Sequence, residues 1–465
     1  MDINSGDQAE SRVGNRVDNQ AHKQLPIEEI GDEVRAQTRI HRKKSPMFNA
    51  RVTWLDRWLV SKMMDVVGNP PVRISLWDGE EVTPPCDDPV AELVYCDRGA
   101  LLKTILDPEL HWGDLYCSGR VVFEGDMAKF METIYHGIVS KGEPGLLRRL
   151  VLWLGHRRIF NSFDKARENI YHHYDIGNDF YKLWLDTEEM QYTCAYFPRE
   201  DMTLEEAQIE KLHHICRKLS LKPGDTVVEA GCGWGGLARF MARHYGVYVT
   251  AYNISREQIK YARQRAEDEG LSDRIEYVLD DYRNIEGQYD VFVSIGMLEH
   301  VAIQDYRELG EIISRVLKED GRGLIHSIGR TRPGPMNAWI ERRIFPGARP
   351  PAISQMMNIF EPNELAVYDV ENLRLHYART LEVWSERFKA HEEEITQMMD
   401  EEFVRAWGLY LDGSIAAFYS GQLHLFQVVF HSSRTRNMPR SREYIYDDKS
   451  AAGKAKLTVV STEQD

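Results

Sequence analysis

The segment Asp225–Asn253 constrains the fold of this 465-residue chain more than any other stretch. A short β-branched run, Thr226–Val228, leads to Glu229, and four glycines occur among the next seven residues. An amphipathic segment, Leu237–Tyr245, and a second apolar run, Val247–Tyr252, follow. Strand, glycine-rich turn, helix and strand in this order predict the opening of a doubly wound α/β sheet.

The glycine-rich turn and the acid before it indicate which ligand the sheet binds. Gly231, Gly233 and Gly235 would let the backbone approach a nucleotide, because a Cβ atom would collide with it; the same turn also occurs without a ligand. Glu229 would repel a pyrophosphate and attract an amine. Asn253 stands near the place where dinucleotide enzymes carry a ribose-binding acid. These residues favour S-adenosylmethionine over a nicotinamide cofactor.

Composition and charge argue against several classes of protein. With 43% hydrophobic and 28% charged residues, a chain of this length predicts two or three soluble domains. We find no apolar run long enough to span a membrane and no apolar signal segment, so we expect the protein in the cytoplasm. A net charge of −15 argues against nucleic-acid binding. The six scattered cysteines indicate neither a disulfide framework nor a metal site.

Changes in composition along the chain predict five segments. Residues 1–44 form a polar leader, expected to be disordered, and residues 45–140 a small α+β domain with a helix over Arg51–Met64. Residues 141–170 form a basic linker; its part Gly145–Phe163 is either a helix that docks on a membrane surface or an ordinary linker helix packed on a domain. Residues 171–432 form the catalytic domain, and residues 433–465 a charged, loose tail.

Helices and strands alternate regularly through the first part of the catalytic domain. After Arg330 an insertion carries Arg332, Arg342, Arg343 and Arg349 among apolar residues. The predicted elements outside the opening segment are helix Met202–Leu219, helix Ser255–Glu269, strand Arg274–Leu279, strand Tyr289–Ile295, helix Gln304–Leu317, strand Gly323–Ile328, helix Thr380–Trp407 and two late strands, Ile415–Ser420 and His424–Phe430.

Polar side chains occur where three of these strands end. Glu229 follows the first strand, Glu299 and His300 follow the fourth, and the fifth ends with His326, Ser327 and Ile328. Ligands of open α/β sheets lie beyond the carboxyl ends of the strands, so a carboxylate and a histidine here could hold a base or a small anion. The plainer alternatives are a satisfied core histidine at His326 and a helix-starting acid at Glu299.

Six motifs, taken together and in order, give a resemblance to a known family. HYDIGNDFY, MQYTCAYF, EAGCGWGG, GMLEHV, LIHSIG and HYARTLEVWSERF occur between about Tyr171 and Phe430. They resemble the cyclopropane-fatty-acyl-phospholipid synthases, which are S-adenosylmethionine-dependent methyltransferases with a Rossmann-like sheet. The Arg51–Val139 module resembles, more loosely, the N-terminal domain of the full-length bacterial synthases. Relatives that modify mycolic acids usually lack that domain, so its presence favours phospholipid substrates.

The resemblance implies methyl transfer to a cis double bond of a phospholipid acyl chain, followed by ring closure. It implies a bound bicarbonate as the proton acceptor, held by Cys194, Glu299, His326, the backbone of Ile328 and Tyr377. For Cys194 the plainer alternative is a small buried apolar side chain. Peripheral contact with the inner face of a membrane and a homodimer formed through the N-terminal domain are further expectations.

The resemblance also implies which residues hold S-adenosylmethionine. Asn253 departs from the threonine that the family more often has, which bears only on the contact with the ribose. Ile295 would line the cofactor pocket. The implied set is Tyr192, Thr193, Glu229, Gly231, Gly233, Gly235, Asn253, Ser255, Gln258, Tyr282, Arg283 and Ile295.

The sequence leaves three other functions open. The cation formed by methyl transfer could rearrange and give a methyl- or methylene-branched chain instead of a ring. The chain could be a lipid-binding module without catalysis, although the intact Glu299 and glycine turn argue against it. A nicotinamide oxidoreductase is disfavoured by Glu229 and by the missing ribose-binding acid.

Overall fold

The computed structural model describes residues 51–84, 86–140, 177–436 and 438–446. The expected leader, the basic linker and the last part of the tail lie outside the described residues. Over the described residues the chain forms two β-sheets, one of three strands and one of seven. Helices accompany both sheets, so the predicted α/β class is confirmed.

The three-stranded sheet belongs to an N-terminal module of residues 51–140. Its first two strands run parallel and the third runs antiparallel to the second. The predicted helix over Arg51–Met64 begins three residues later, because the Asp56 carboxylate accepts the backbone N–H of Thr53 and fixes the helix start. The elements are α1 (Trp54–Val66), β1 (Val72–Ser75), β2 (Ala91–Tyr95), α2 (Arg98–Leu106), α3 (Pro108–Cys117), β3 (Val121–Gly125) and α4 (Met127–Ser140).

The seven-stranded sheet is the centre of the catalytic domain. Its strands are β4 (Thr226–Ala230), β5 (Tyr248–Asn253), β6 (Ile275–Leu279), β7 (Tyr289–Ile295), β8 (Leu317–Arg330), β9 (Leu365–Asn372) and β10 (Leu423–Ser432). They lie in the order β6-β5-β4-β7-β8-β10-β9. The strands β4 to β8 run parallel, and β10 runs antiparallel to both of its neighbours. The sheet is therefore doubly wound as predicted, with its switch point between β4 and β7.

Two apolar clusters cover this sheet. The helices of the domain are α5 (Asn178–Lys182), α6 (Leu204–Lys218), α7 (Gly236–Tyr245), α8 (Arg256–Asp268), α9 (Tyr306–Val316), α10 (Ala338–Arg343), α11 (Ile353–Phe360), α12 (Arg374–Ala390), α13 (Glu392–Met398), α14 (Glu401–Tyr419) and α15 (Glu443–Tyr446). The first cluster includes residues of α6, α7 and α8, and the second residues of α9 and α11. Within the described ranges, no helix has both the length and the apolar composition needed to cross a bilayer.

Two elements near the C-terminus were predicted wrongly. The expected helix Thr380–Trp407 is interrupted and forms parts of α12, α13 and α14, because the Asp400 carboxylate accepts the backbone N–H of Phe403 and starts a new helix. The expected strand Ile415–Ser420 is the end of α14, where buried residues recur at helical spacing. The strand that closes the sheet is β9 instead, which pairs with β10.

The tail was expected to be loose from Ser433 onward, and this is wrong for its described part. Ile445 is buried, and its carbonyl oxygen accepts a hydrogen bond from Arg217 Nε at 2.7 Å. Arg442 donates to the Asp369 carboxylate at 2.5 Å. An apolar anchor and two arginine contacts thus attach residues 438–446 to α6 and β9.

The N-terminal module and the catalytic domain share one apolar core. Across their junction, Trp339 Nε1 and Arg343 Nη2 donate to the Asp114 carboxylate at 3.1 and 2.8 Å. Gly113 lies against the indole of Trp339, so that a Cβ atom there would be 2.6 Å from Nε1. The junction is a closely packed interface between α3 and α10.

Candidate active site

A cavity of about 1870 Å³ is walled by residues of both the N-terminal module and the catalytic domain. Its volume exceeds the roughly 300–1,000 Å³ of pockets for drug-sized ligands. The five residues that the sequence assigned to catalysis all line it: Cys194, Glu299, His326, Ile328 and Tyr377. They come from the segment before α6, the turn after β7, the end of β8 and α12, so the fold brings together residues that are far apart in the sequence.

Glu299 is buried directly after β7 and lines the cavity. Its Oε1 accepts a hydrogen bond from the backbone N–H of Ile328 at 2.6 Å, whereas its Oε2 has no partner among the described residues. Burial raises the pKa of Glu299 to about 7, although the Ile328 N–H favours the charged form. A carboxyl group with this pKa can exchange a proton near neutral pH.

His326 lies near the end of β8 and is 1% exposed. Its Nδ1 is 3.1 Å from the Gln427 side-chain nitrogen on the neighbouring strand β10, and its Nε2 has no partner among the described residues. Burial, helped by the positive charges of Lys211 and Lys218, lowers the pKa of His326 well below its usual range, so the ring is neutral. One ring nitrogen is therefore left for a ligand.

Cys194 and Tyr377 complete this part of the wall. The Cys194 thiol is buried, with its sulfur 3.1 Å from the carbonyl oxygen of Ala195. Burial raises the pKa of that thiol, which disfavours the thiolate that a covalent mechanism would need. The Tyr377 ring packs on Phe418 with 4.7 Å between ring centroids.

Aromatic rings line the cavity beside the polar residues. The hydroxyl groups of Tyr192 and Tyr410 are 2.9 Å apart, and the Tyr410 ring packs edge-on against Phe345 at 5.3 Å. Aromatic faces attract a cation electrostatically without forming a bond to it. Among the aromatic residues that line the cavity are Tyr192, Phe345, Tyr377, Tyr410 and Phe418.

The two polar atoms without partners fit a small oxyanion such as bicarbonate. Bicarbonate has one O–H group that donates and further oxygens that accept. Glu299 Oε2 could accept from the O–H group, and an N–H of the His326 ring could donate to an oxygen. The positive charge of Lys211 acts on the same region. The residues present thus fit the group that the resemblance implied.

The glycine turn connects β4 to α7 beside the switch point of the sheet. Gly231, Gly233 and Gly235 have φ angles of 84°, 52° and 78°, a region that favours glycine. A Cβ atom on Gly235 would lie 2.4 Å from the Tyr277 hydroxyl oxygen, whereas nothing lies within 4 Å of one on Gly233. The backbone itself needs glycine here, and the turn leaves open space at Gly233.

Glu229 lies near the end of β4, just before this turn, and is 2% exposed. Its Oε2 has no partner among the described residues. Burial raises the pKa of Glu229 to about 8, although the charges of Lys211 and Arg239 act in the opposite direction. A buried carboxyl group without a partner is costly when charged, so a cationic amine is the ligand that it fits.

Asn253, Ser255 and Gln258 hold the turn between β5 and α8. The Asn253 amide donates to the Gly233 carbonyl at 3.2 Å and to Gln258 Oε1 at 2.9 Å, and Ser255 Oγ accepts the Gln258 N–H at 3.4 Å as the predicted helix cap. These three side chains therefore brace the glycine turn. Their contact with a ribose stays a prediction.

The other cofactor candidates lie near the same edge of the sheet. Tyr282 follows β6, and its buried hydroxyl has no partner among the described residues. Arg283 stacks on the Tyr282 ring at 4.9 Å and pairs with Asp281 at 3.0 Å. Thr193 and Tyr192 line the cavity. The remaining cofactor candidates, from Glu229 on β4 to Ile295 at the end of β7, do not line it.

Sequence reasoning missed three buried polar residues beside the site. Lys211 donates to Thr193 Oγ1 at 2.9 Å and to Gln191. Lys218 and Gln427 bond to each other, and Gln427 contacts His326. The two lysines are seven residues apart on α6 and share one helix face. The signal available in the sequence was that these lysines fall on the same helix face as the apolar Leu204, Ala207 and Ile215.

The strand order, the glycine turn and the buried acid near the end of β4 define an S-adenosylmethionine-dependent methyltransferase. A family model described as mycolic acid cyclopropane synthetase matches residues 161–428, which is more than half of the chain. The chain belongs to this family.

The relatives within the family carry names for different activities. The chain is 34% identical over 388 residues to a probable fatty acid methyltransferase of Pseudomonas putida, covering 81% of this chain and 96% of that protein. It is 41% identical over 276 residues to the cyclopropane-fatty-acyl-phospholipid synthase of Escherichia coli K12, covering 59% of this chain and 70% of that protein. The solved mycolic acid cyclopropane synthase CmaA1, complexed with SAH and CTAB, has a TM-score of 0.54 and 32% identity, covering 57% of this chain and 97% of that one.

Proposed function

We propose that this protein transfers a methyl group from S-adenosylmethionine to the cis double bond of an unsaturated phospholipid acyl chain and closes it to a cyclopropane. The observation that carries the proposal is the pair of buried, unpartnered atoms Glu299 Oε2 and His326 Nε2 in the wall of a large cavity. They fit a bound base next to the place where a cation could form. The E. coli relative is named for this reaction.

The proposed reaction balances without a redox partner. One alkene carbon bonds to the methyl carbon, the carbon–sulfur bond breaks, and the sulfur keeps the electron pair. The other alkene carbon becomes a cation. When a proton leaves the new methyl group, its electron pair closes the ring, so the chain gains one CH₂. Bicarbonate, when bound, would supply the base for that proton.

The residues of the chain would align the alkene with the sulfonium, keep water away and stabilise the cation. An alkene is a weak nucleophile, so it must be held in line with the sulfonium and kept from water. The apolar part of the cavity wall suits this task. The faces of Tyr192, Tyr377 and Phe418 would stabilise the cation, while Glu299 and His326 would hold the bicarbonate.

We extend the proposal to the lipid surface. Arg332 and Arg342 belong to the insertion after β8 and line the cavity, whereas Arg343 is paired with Asp114. Cationic groups at the edge of an apolar cavity suit the phosphate of a phospholipid. We therefore infer peripheral contact with the inner, cytoplasmic face of a membrane. A homodimer through the N-terminal module stays a prediction.

Labelled substrate tests the reaction. The protein is incubated with S-adenosylmethionine carrying a trideuterated methyl group and with liposomes of a cis-monounsaturated phospholipid. Ring closure removes one deuteron, so mass spectrometry should show a gain of CD₂, and proton NMR of the lipid should show cyclopropane hydrogens. A gain of CD₃ means that the proton left the chain instead, which contradicts ring closure. Binding of S-adenosylmethionine without product contradicts the proposal as a whole.

A second candidate is methyl transfer that yields a branched chain. It is favoured by the similarity to the P. putida fatty acid methyltransferase, which extends over 81% of this chain. A methylene branch would also gain CD₂, but its alkene carbons would carry no hydrogen, so its proton spectrum would show neither cyclopropane nor alkene hydrogens. A methyl-branched alkene would gain CD₃ and show an alkene hydrogen. Mass and NMR together therefore separate the ring from both branched products.

Charge reversal tests the membrane contact. The variant Arg332→Glu/Arg342→Glu should lose binding to anionic phospholipid vesicles in sedimentation assays. The matched control is Arg307→Glu/Arg434→Glu, which changes the charge equally at exposed residues outside the cavity wall. If the first variant binds vesicles and turns over lipid as well as the control, the insertion does not dock on the membrane.

A further inference from the structure

His326 is the first of a row of buried polar side chains that begins at the cavity wall. It is paired across the strands with Gln427, its register partner on β10, and their side-chain nitrogens are 3.1 Å apart. The other end of the Gln427 amide, Oε1, is 2.8 Å from Lys218 Nζ. Lys218 also contacts Glu371 Oε2 at 2.5 Å. His326, Gln427 and Lys218 are all at most 2% exposed.

The contact with Glu371 fixes the charge of Lys218. Burial raises the pKa of Glu371, but the hydrogen bond from His214 and the charge of Lys218 outweigh it and lower the pKa to about 2. Burial lowers the pKa of Lys218, and the Glu371 carboxylate opposes that effect. Lys218 in contact with an ionised carboxylate is an ammonium group, which only donates hydrogen bonds.

Because Lys218 donates at one end of the Gln427 amide, the donor and the acceptor of each hydrogen bond from Lys218 to His326 are determined. Because the ammonium group can only donate, the end of Gln427 that faces Lys218 must be its carbonyl oxygen. The NH₂ group of Gln427 then faces the His326 ring and can only donate, so His326 Nδ1 must accept and carries no proton. In a neutral ring the proton is then on Nε2.

We propose that Lys218 and Gln427 are positioning residues that hold His326 as a neutral Nε2–H donor toward an oxyanion bound in the cavity. The geometry supports this, because Nε2 is the buried ring nitrogen that has no partner among the described residues, and His326 lines the cavity. The tautomer does not depend on the proposed function. The identity of the oxyanion as bicarbonate does rest on it.

This arrangement excludes His326 as the base that takes the methyl proton. Its Nε2 already carries a proton, and its Nδ1 is occupied by Gln427. The row therefore assigns His326 to binding and leaves the proton to the bound oxyanion, beside the carboxyl group of Glu299. The base that accepts the methyl proton must therefore be a group other than His326.

Nitrogen NMR of the protein labelled with ¹⁵N-histidine measures the tautomer directly. The His326 signals are those that disappear in the His326→Asn variant, which serves only for assignment. From about pH 6 to about pH 8 we expect a protonated Nε2 and an unprotonated Nδ1. A protonated Nδ1, or a ring protonated on both nitrogens, overturns the proposal. Added bicarbonate should shift the Nε2 signal and leave Nδ1 unprotonated; no shift at Nε2 overturns the oxyanion part.

Gln427→Glu tests the role of the amide. A carboxylate between Lys218 and His326 accepts from both, so Nδ1 should become protonated and turnover should fall by roughly 10- to 100-fold. The Km for the lipid and the affinity for S-adenosylmethionine should stay unchanged. An unprotonated Nδ1 in this variant, with wild-type turnover, overturns the positioning role. If the variant does not fold, the wild-type spectrum still decides the tautomer.

Gln355→Glu is the matched control. Gln355 Oε1 accepts the backbone N–H of Ala352 at 2.9 Å, a bond that a carboxylate can also accept. It adds the same charge outside the cavity wall, so the His326 signals and turnover should be those of the wild type. A failure of the proposed function would appear in the lipid products, whereas a failure of this inference would appear in the His326 spectrum.

Discussion

Glu229 and Glu299 are buried carboxyl groups, each with one oxygen atom that has no hydrogen-bond partner in the described part of the chain. Glu229 lies near the end of β4 and Glu299 lies after β7, two strands that are neighbours in the sheet. Burial raises their pKa values to about 8 and about 7. Each lacks a complementary group: a cation fits Glu229, and a hydrogen-bond donor fits Glu299. Ligand binding should therefore change the protonation of both.

We expect S-adenosylmethionine to bind with release of a proton from Glu229. In the free protein the carboxyl group is neutral below about pH 8, and the amino group of the ligand favours its charged form. Affinity should rise with pH up to about 8, by up to about tenfold per pH unit, and fall above it as the α-amino group of the ligand loses its own proton. Calorimetry in two buffers of different ionisation enthalpy measures the released proton. Wild-type protein that binds without proton release, or a Glu229→Gln variant that keeps the pH dependence, would contradict this.

Glu299→Gln should stabilise the protein while removing activity. The folded state raises the pKa of Glu299 from 4.5 to about 7, so its ionisation destabilises the fold increasingly from about pH 4.5 to about 7, by up to roughly 3 kcal/mol. Glutamine removes this cost and can still accept the Ile328 N–H. Urea unfolding should show the gain at pH values near 8 and almost none near 4.

Turnover of the same variant should fall by roughly 10²- to 10⁴-fold, because Glu299 would no longer hold or exchange a proton. Equal stability of the variant and the wild type at both pH values would show that the ionised Glu299 carboxylate does not destabilise the fold. Its Oε2 atom would then have a hydrogen-bond partner in solution. Unchanged turnover would remove Glu299 from the proposed site.

The positions of the site residues could be predicted from the sequence, whereas their partners could not. Glu229 and Glu299 follow predicted strands, His326 lies in the last part of one, and the carboxyl ends of parallel strands meet at one edge. Gln427 reaches His326 only through the register of two antiparallel strands. No local pattern specifies which residue of β10 lies opposite His326, so the hydrogen-bond row became visible only in the fold.

At the scale of secondary-structure elements, local sequence signals predicted most helices and strands correctly. They failed where contacts with other elements determine the structure. Ser255 caps α8 as predicted. The apolar, aromatic segment Ile415–Ser420 suits a strand by composition, but it is the end of a helix that packs on α12. β9 was overlooked, because LAVYDVEN mixes charged and apolar residues and lies at the edge of the sheet. Packing outweighed β-propensity at Ile415–Ser420, whereas β9 is defined by its pairing with β10.

The contact between α3 and α10 gives a prediction at the same scale. Gly113→Ala places a Cβ atom about 2.6 Å from the Trp339 indole, which is buried and cannot move aside freely. We expect a loss of about 1–3 kcal/mol in the free energy of unfolding. Gly408→Ala on α14 is the control, since its Cβ would meet only Phe388 at 4.0 Å and should stabilise the helix slightly. Equal stability of both variants would mean that the junction is loose.

At the scale of the whole molecule, the cavity depends on both parts of the chain. The catalytic domain supplies the polar and aromatic wall around Glu299 and His326, and the N-terminal module supplies apolar residues such as Phe130 and Ile134. The two parts also share one apolar core. An acyl chain that reacts in the catalytic domain could therefore extend along the N-terminal module. On this interpretation the module sets which chains are accepted.

Ile134→Trp, which fills part of the cavity from the N-terminal module, should lower kcat/Km for long acyl chains more than for short ones. A methylene group that loses its place in an apolar pocket costs about 1 kcal/mol, so the preference should shift by roughly fivefold per displaced methylene. Competition between monounsaturated phospholipids of different chain length, with products measured by mass spectrometry, gives this ratio directly. Lys129→Trp is the control, because it lies on the same helix α4, is exposed and does not line the cavity. If both tryptophan variants keep the wild-type preference, the acyl chain does not reach the N-terminal module, and the module must act on the lipid in another way.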